Sequence, residues 1–208
     1  MTTDNRIYAP AATRNRDAIY DCLKDHLPKS GSVLEIASGS GEHAAHLCPL
    51  FPEIMWQATN FDQQHLKSAI AWQEHCALQN FLPVMELDAT ASVWPTENGK
   101  YPHAPFDALF NANMIHISPW VVCEGLFAGA ARSLKAGGTM FLYGPFKLDG
   151  EQTAPSNIKF EQWLKDIDLS FGVRDLDDVK SVAVQNGFSH MESCPMPANN
   201  FLQIFSKN

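Results

Sequence analysis

Short apolar runs alternate with longer amphipathic stretches along most of the chain, and that alternation sets the reading of its elements. From Ala11 or Ala12 to about Leu27, the residues Ile19, Cys22, Leu23, His26 and Leu27 recur at helical spacing, and Pro28 and Gly31 stop the helix. Val33-Leu34-Glu35-Ile36 reads as a buried strand, and after two glycines Glu42 to Leu50 can be helical. A second strand is predicted at Ile54–Thr59, a helix from Gln63 to about Leu78, and a third strand at Phe81–Leu87. Phe106–Asn111 is a fourth strand; Ser118 and Pro119 then fit the cap and first turn of a helix running to Leu134. Thr139–Tyr143 is a fifth strand, and a helix from Arg174 or Asp175 to Asn186 is closed by Gly187. Phe188–Cys194 and Phe201–Phe205 are two final strands. Strands alternating with helices in this way make an open parallel sheet covered by helices.

Two stretches leave that rhythm. Residues 1–10 are irregular, and the polar run Tyr8 to Asn15 is either a solvated arm or a flap that carries Tyr8, Arg14 and Asn15 over a site. Gly144 to Gly172 interrupts the alternation with an amphipathic segment bearing Phe160, Trp163, Leu164 and Ile167, and it reads as an insertion covering a pocket. At 208 residues the chain is expected to form one domain, 1–208, with flap and helix at 1–28 and the insertion at 145–172.

Composition narrows the function. A net charge of −8 with no cluster of Lys and Arg speaks against a nucleic-acid partner. No apolar run is long enough to cross a bilayer, and residues 1–15 lack the apolar core of a secretion signal, so a cytoplasmic protein is expected. Five cysteines, odd in number and scattered, suggest reduced thiols in place of a disulfide framework or a zinc site. His43 and His46 have metal-like spacing without an evident third ligand, so no metal is expected.

The chemistry concentrates at Glu35-Ile36-Ala37-Ser38-Gly39-Ser40-Gly41-Glu42-His43. A strand turning sharply through small residues into a helix leaves free backbone N–H groups, a cradle for a ligand. Gly39 to Ala44 satisfies the dinucleotide fingerprint, which by itself would suggest a nicotinamide-dependent oxidoreductase. Glu35 argues otherwise. A carboxylate inside an apolar strand needs a cationic or hydrogen-bonding partner, and it would oppose a pyrophosphate.

With this residue included, the turn resembles the first motif of the class I S-adenosylmethionine-dependent methyltransferases, acid-x-Gly-x-Gly-x-Gly. Ala37 stands at the first glycine, with Gly39 and Gly41 in register. The runs Ala9-Pro-Ala-Ala-x-Arg-Asn15, Glu35 to His43, Asn113 to Trp120, Tyr143-Gly-Pro-Phe146 and Met196-Pro-Ala-Asn-Asn200 resemble one narrower methyltransferase-like family that carries a placeholder, unknown-function name. The resemblance implies an α/β Rossmann-like fold: a mostly parallel seven-stranded sheet, its last strand antiparallel, with helices on both faces. It also implies S-adenosyl-L-methionine as cofactor, held by Glu35, Ala37, Ser38, Gly39, Gly41, Asn111 and Arg14, with Asp88 toward the adenine. Position 60, where an acid would hold the ribose, carries Asn60, with Asp62 close behind; either could serve, and Asp62 could equally cap the next helix.

For catalysis the loop after the fourth strand offers His116 as a base, with Asn113 and Tyr143 as orienting groups. A buried structural histidine is the competing reading of His116. Methyl transfer needs mainly alignment and exclusion of water. The expectation is therefore a methyltransferase acting on a small molecule; the alternative is a non-catalytic, cofactor-binding protein-interaction module of the same fold.

Overall fold

The computed structural model describes residues 4–99 and 101–208. In chain order the elements are α1 (Pro10–His26), β1 (Gly31–Ile36), α2 (Glu42–Leu47), β2 (Ile54–Asn60), α3 (Gln63–Cys76), β3 (Met85–Glu86), β4 (Phe106–Ala112), α4 (Trp120–Ser133), β5 (Leu134–Gly144), β6 (Phe146–Leu148), β7 (Glu151–Gln152), α5 (Pro155–Ile167), β8 (Arg174–Asp175), α6 (Leu176–Gln185), β9 (Phe188–Met196) and β10 (Asn200–Lys207). Seven strands form one sheet in the order β3-β2-β1-β4-β5-β10-β9. β1 pairs in parallel with β2 and β4, and β4 with β5, whereas β10 lies antiparallel to both β5 and β9. This is the α/β fold expected from the motifs.

Period-two side chains divide the interior into two layers. Leu34, Ile36, Leu109, Met140 and Leu142 point to one face and pack with Cys123, Leu126 and Phe127 of α4 and Val179 and Val182 of α6. Val33, Trp56, Phe110 and Phe141 point to the other, against Ile19 and Leu23 of α1 and Ala44 and Leu47 of α2. The strands buried on both faces are those that read as continuous apolar runs.

Several boundaries differ from the sequence expectation, each for a local reason. The third strand shrinks to Met85–Glu86, because Pro83 lacks the N–H a longer ladder requires; Phe81 makes only an isolated bridge to Trp56. α2 ends at Leu47, and Pro49 turns Cys48–Leu50 into one tighter 3₁₀ turn. β5 starts at Leu134 where a helix end and glycine turn were expected. The insertion builds a second small sheet, β7-β6-β8, beside α5. Its strands of two or three residues are too short to leave a period.

Candidate functional site

The sheet order reverses between β1 and β4, so the chain leaves those neighbouring strands toward opposite faces and a crevice opens at their C-terminal ends. The glycine turn sits on that rim. Ala37, Gly39 and Gly41 all have positive φ, at 53°, 58° and 93°. Asn60, at the end of β2, pins the turn: the Gly39 N–H donates to its Oδ1 at 2.9 Å, and its Nδ2 donates to the Gly39 carbonyl at 3.2 Å. The amide of Asn60 is thus engaged by the turn itself.

The two glycines serve different purposes. A Cβ on Gly39 would meet nothing within 4 Å, so this residue presents open space. A Cβ on Gly41 would lie 2.7 Å from Ala69 Cα, so Gly41 is required for α3 to approach the turn. The space kept free at Gly41 is taken by a helix, where the sequence reading had left it for a ligand.

Glu35 is buried, and the Trp56 indole N–H donates to its Oε2 at 2.7 Å. Burial pushes its pKa up to about 7, against the opposing pull of that N–H and of the Ser38 hydroxyl. The hydrogen-bonding partner that a carboxylate inside a strand requires is therefore an indole. Asn111 Oδ1, at the end of β4, is buried without a partner, although its Nδ2 donates to the Ile36 carbonyl at 2.8 Å. An unpartnered oxygen near an open glycine is what a polar ligand with N–H and O–H groups would satisfy.

At the neighbouring strand ends, Asp62 caps α3, accepting from the Gln64 and His65 N–H groups at 3.0 and 3.1 Å and pairing with His65 Nδ1. Burial alone would raise its pKa, but the His65 contacts hold it below the usual carboxylate value. Asp88 is half-buried and accepts from Thr90 N–H and Oγ1, both at 2.8 Å. Phe61 stands 61% exposed between Asn60 and Asp62, a flat apolar surface on the rim that the polar motifs did not single out.

Next to the rim lies a cavity of about 470 Å³ lined by Arg14, Asn15, Asn113, Tyr143, Phe160 and Asn200, among others. It unites Asn113 and Tyr143 with Arg14 from the N-terminal run and α5 of the insertion. Arg14 belongs to this cavity and not to the glycine turn. Asn15 joins the two regions, since its Oδ1 lies 2.9 Å from Nε2 of His43 in α2. Burial raises the Tyr143 pKa, opposed by Asn15 and Arg14. A larger recess of about 1050 Å³, between α4, α5 and α6, contains none of the residues expected at the site.

His116 is a correction. Its ring is wholly buried against Phe146, Nδ1 accepts the Arg174 backbone N–H at 3.2 Å, and Nε2 has no partner. Burial, with the nearby Arg174 charge, pushes its pKa down to about 3. A ring sealed in this way cannot take a proton from a molecule in the cavity, so the expected base is a structural histidine. His43 and His46 turn to different partners, Asn15 and Asp17. Cys22, His26 and Cys194, by contrast, converge, although Cys194 is far from the other two along the chain.

The N-terminal arm lies across α2 and α3. Ser68 Oγ accepts the Ile7 N–H at 2.8 Å, Glu42 accepts the Ala9 N–H, and the Trp72 indole donates to the Ile7 carbonyl at 3.1 Å. Arg6 stacks over Trp72 at 5.0 Å, and Tyr8 meets the same ring edge-on. Among the described residues no helix is long and apolar enough to cross a membrane.

A crevice at the switch point of this strand order, with an acid-x-Ala-x-Gly-x-Gly turn on its rim, defines the class I methyltransferase fold. Solved structures agree. The chain is similar to the mitomycin 7-O-methyltransferase MmcR (13% identity, 98% of this chain and 56% of that one, TM-score 0.79). It is also similar to an O-methyltransferase family 2 protein from Planctomyces limnophilus solved with apigenin (19%, 95% and 58%, TM-score 0.76), and to PigF solved with SAH (15%, 89% and 53%, TM-score 0.69). It therefore spans little more than half the length of each. Residues 6–207 match the family described as "Protein of unknown function (DUF938)", and the chain belongs to that family.

Proposed function

We propose that the protein is an S-adenosyl-L-methionine-dependent methyltransferase acting on a small molecule. The observation that carries this reading is the open space at Gly39 on the turn after β1, with the unpartnered Asn111 Oδ1 at the end of the neighbouring β4. The donor-bearing cofactor fits that acceptor, with Phe61 and Asp88 on the same rim for its base. When bound, it supplies an electrophilic methyl group on a sulfonium sulfur.

This chain's residues then act by position. Arg14, Asn15 and Asn113 orient the acceptor, the Tyr143 hydroxyl, which burial keeps protonated, offers it a hydrogen bond, and Phe160 shields the cavity from water. No side chain in this set is a strong base, so the acceptor is one whose nucleophile needs alignment more than deprotonation. The O-methyltransferase titles among the similar structures support a small acceptor.

Titration calorimetry tests the cofactor. S-adenosylhomocysteine should bind in the micromolar range, roughly −8 kcal/mol, and NAD far more weakly. Equal or tighter NAD binding overturns the assignment. A metabolite screen with radiolabelled methyl donor then tests catalysis; a complete absence of transfer alongside a stably co-purifying protein would favour the binding-module alternative.

A further inference from the structure

Cys22 and His26 project from one face of α1, four residues apart. They meet Cys194 from the edge strand β9, and the Sγ, imidazole nitrogen and Sγ atoms all lie within 4.8 Å of one another. Each residue is half-buried. Glu192, two residues before Cys194 and so on the same face of β9, stands beside the group. Its Oε1 accepts from Cys194 Sγ at 3.5 Å and its Oε2 lies 3.8 Å from His26 Nε2.

We propose that Cys22, His26 and Cys194 form a binding site for a thiophilic divalent cation, best suited to Zn²⁺, with Glu192 or water as the fourth ligand. The donor chemistry is right, since two thiolates and an imidazole are the soft and borderline ligands zinc prefers. The geometry is close. In a tetrahedral zinc site neighbouring S and N ligands sit about 3.5–3.8 Å apart, so small rotamer adjustments bring the three atoms into place. Access is open through a recess of about 390 Å³, where Asp25 and Glu192 add negative charge to attract a cation. Binding replaces the two thiol protons, which pass to solvent.

The ion would join α1 directly to β9. Both elements continue into the 470 Å³ cavity, through Arg14 and Asn15 on α1 and through Ala198 and Asn200 after β9. The site itself stands independently of the methyltransferase reading.

The test uses reduced, chelator-stripped full-length protein titrated with Co²⁺ and then Zn²⁺. One equivalent of Co²⁺ should give a thiolate-to-cobalt charge-transfer band and tetrahedral visible absorption, and Zn²⁺ should displace it. Cys22→Ser and Cys194→Ser should each weaken binding on the order of 100-fold, and the half-buried His26→Gln should do so as well; circular dichroism confirms that each remains folded. Zn²⁺ should raise the thermal midpoint of the parent chain and leave that of Cys194→Ser unmoved. A missing charge-transfer band overturns the proposal, as does unchanged affinity in all three variants. If the reduced protein ignores cobalt while mild oxidation links Cys22 to Cys194, the pair is a redox couple and the metal site is rejected.

Discussion

Glu35 and the two turn glycines carry the most specific physics at the scale of single residues. Glu35 ionises near pH 7 when folded, against an ordinary value of 4.5, so the folded state holds its proton more tightly than the unfolded chain. The resulting stability is complete below about pH 4.5 and is lost as pH rises through 7, by roughly 3 kcal/mol at most. Glu35→Gln should flatten this part of the pH–stability curve, as denaturant melts between pH 4 and 8 will show. Gly41→Ala should cost several times as much stability as Gly39→Ala, because its Cβ meets the Ala69 backbone whereas that of Gly39 meets nothing. Gly39→Ala, at about 1 kcal/mol for its positive φ, should fold yet bind S-adenosylhomocysteine poorly. His116→Ala should lower stability by about 2–4 kcal/mol, read by denaturant melts, and leave S-adenosylhomocysteine affinity unchanged.

The arm and the insertion decide most at the scale of elements. Arg6, Tyr8 and the Ile7 carbonyl all rest on Trp72, so Trp72→Ala should release residues 6–9 and speed their cleavage in limited proteolysis while the sheet stays intact. Arg174 holds the other flank. Its guanidinium donates to the Ile115, Ser118 and Ser170 carbonyls and stacks over Trp120, tying β8 to the loop after β4. These contacts were not legible in the sequence, because they depend on pairing residues far apart in the chain. The seven main strands and most helices were legible, because burial on both faces writes itself as apolar runs that proline and glycine punctuate. The candidate site was legible in part. The turn, Asn113, Tyr143 and Arg14 could be named from motifs, but which glycine faces open space, and that His116 is sealed, follow only from what packs on them.

At the scale of the whole molecule, the glycine turn and the rim of β1, β2 and β4 come from residues 31–112, whereas the cavity borrows a wall from the β9–β10 turn. Until β10 adds to β5, that strand presents an open edge at the middle of the finished sheet order. This has a consequence for biosynthesis. A nascent chain leaving the ribosome completes its glycine turn and rim long before the hairpin that closes both the sheet and the cavity. Until Asn200–Lys207 are made, the nascent chain therefore carries that edge unpaired, a template for pairing with other chains.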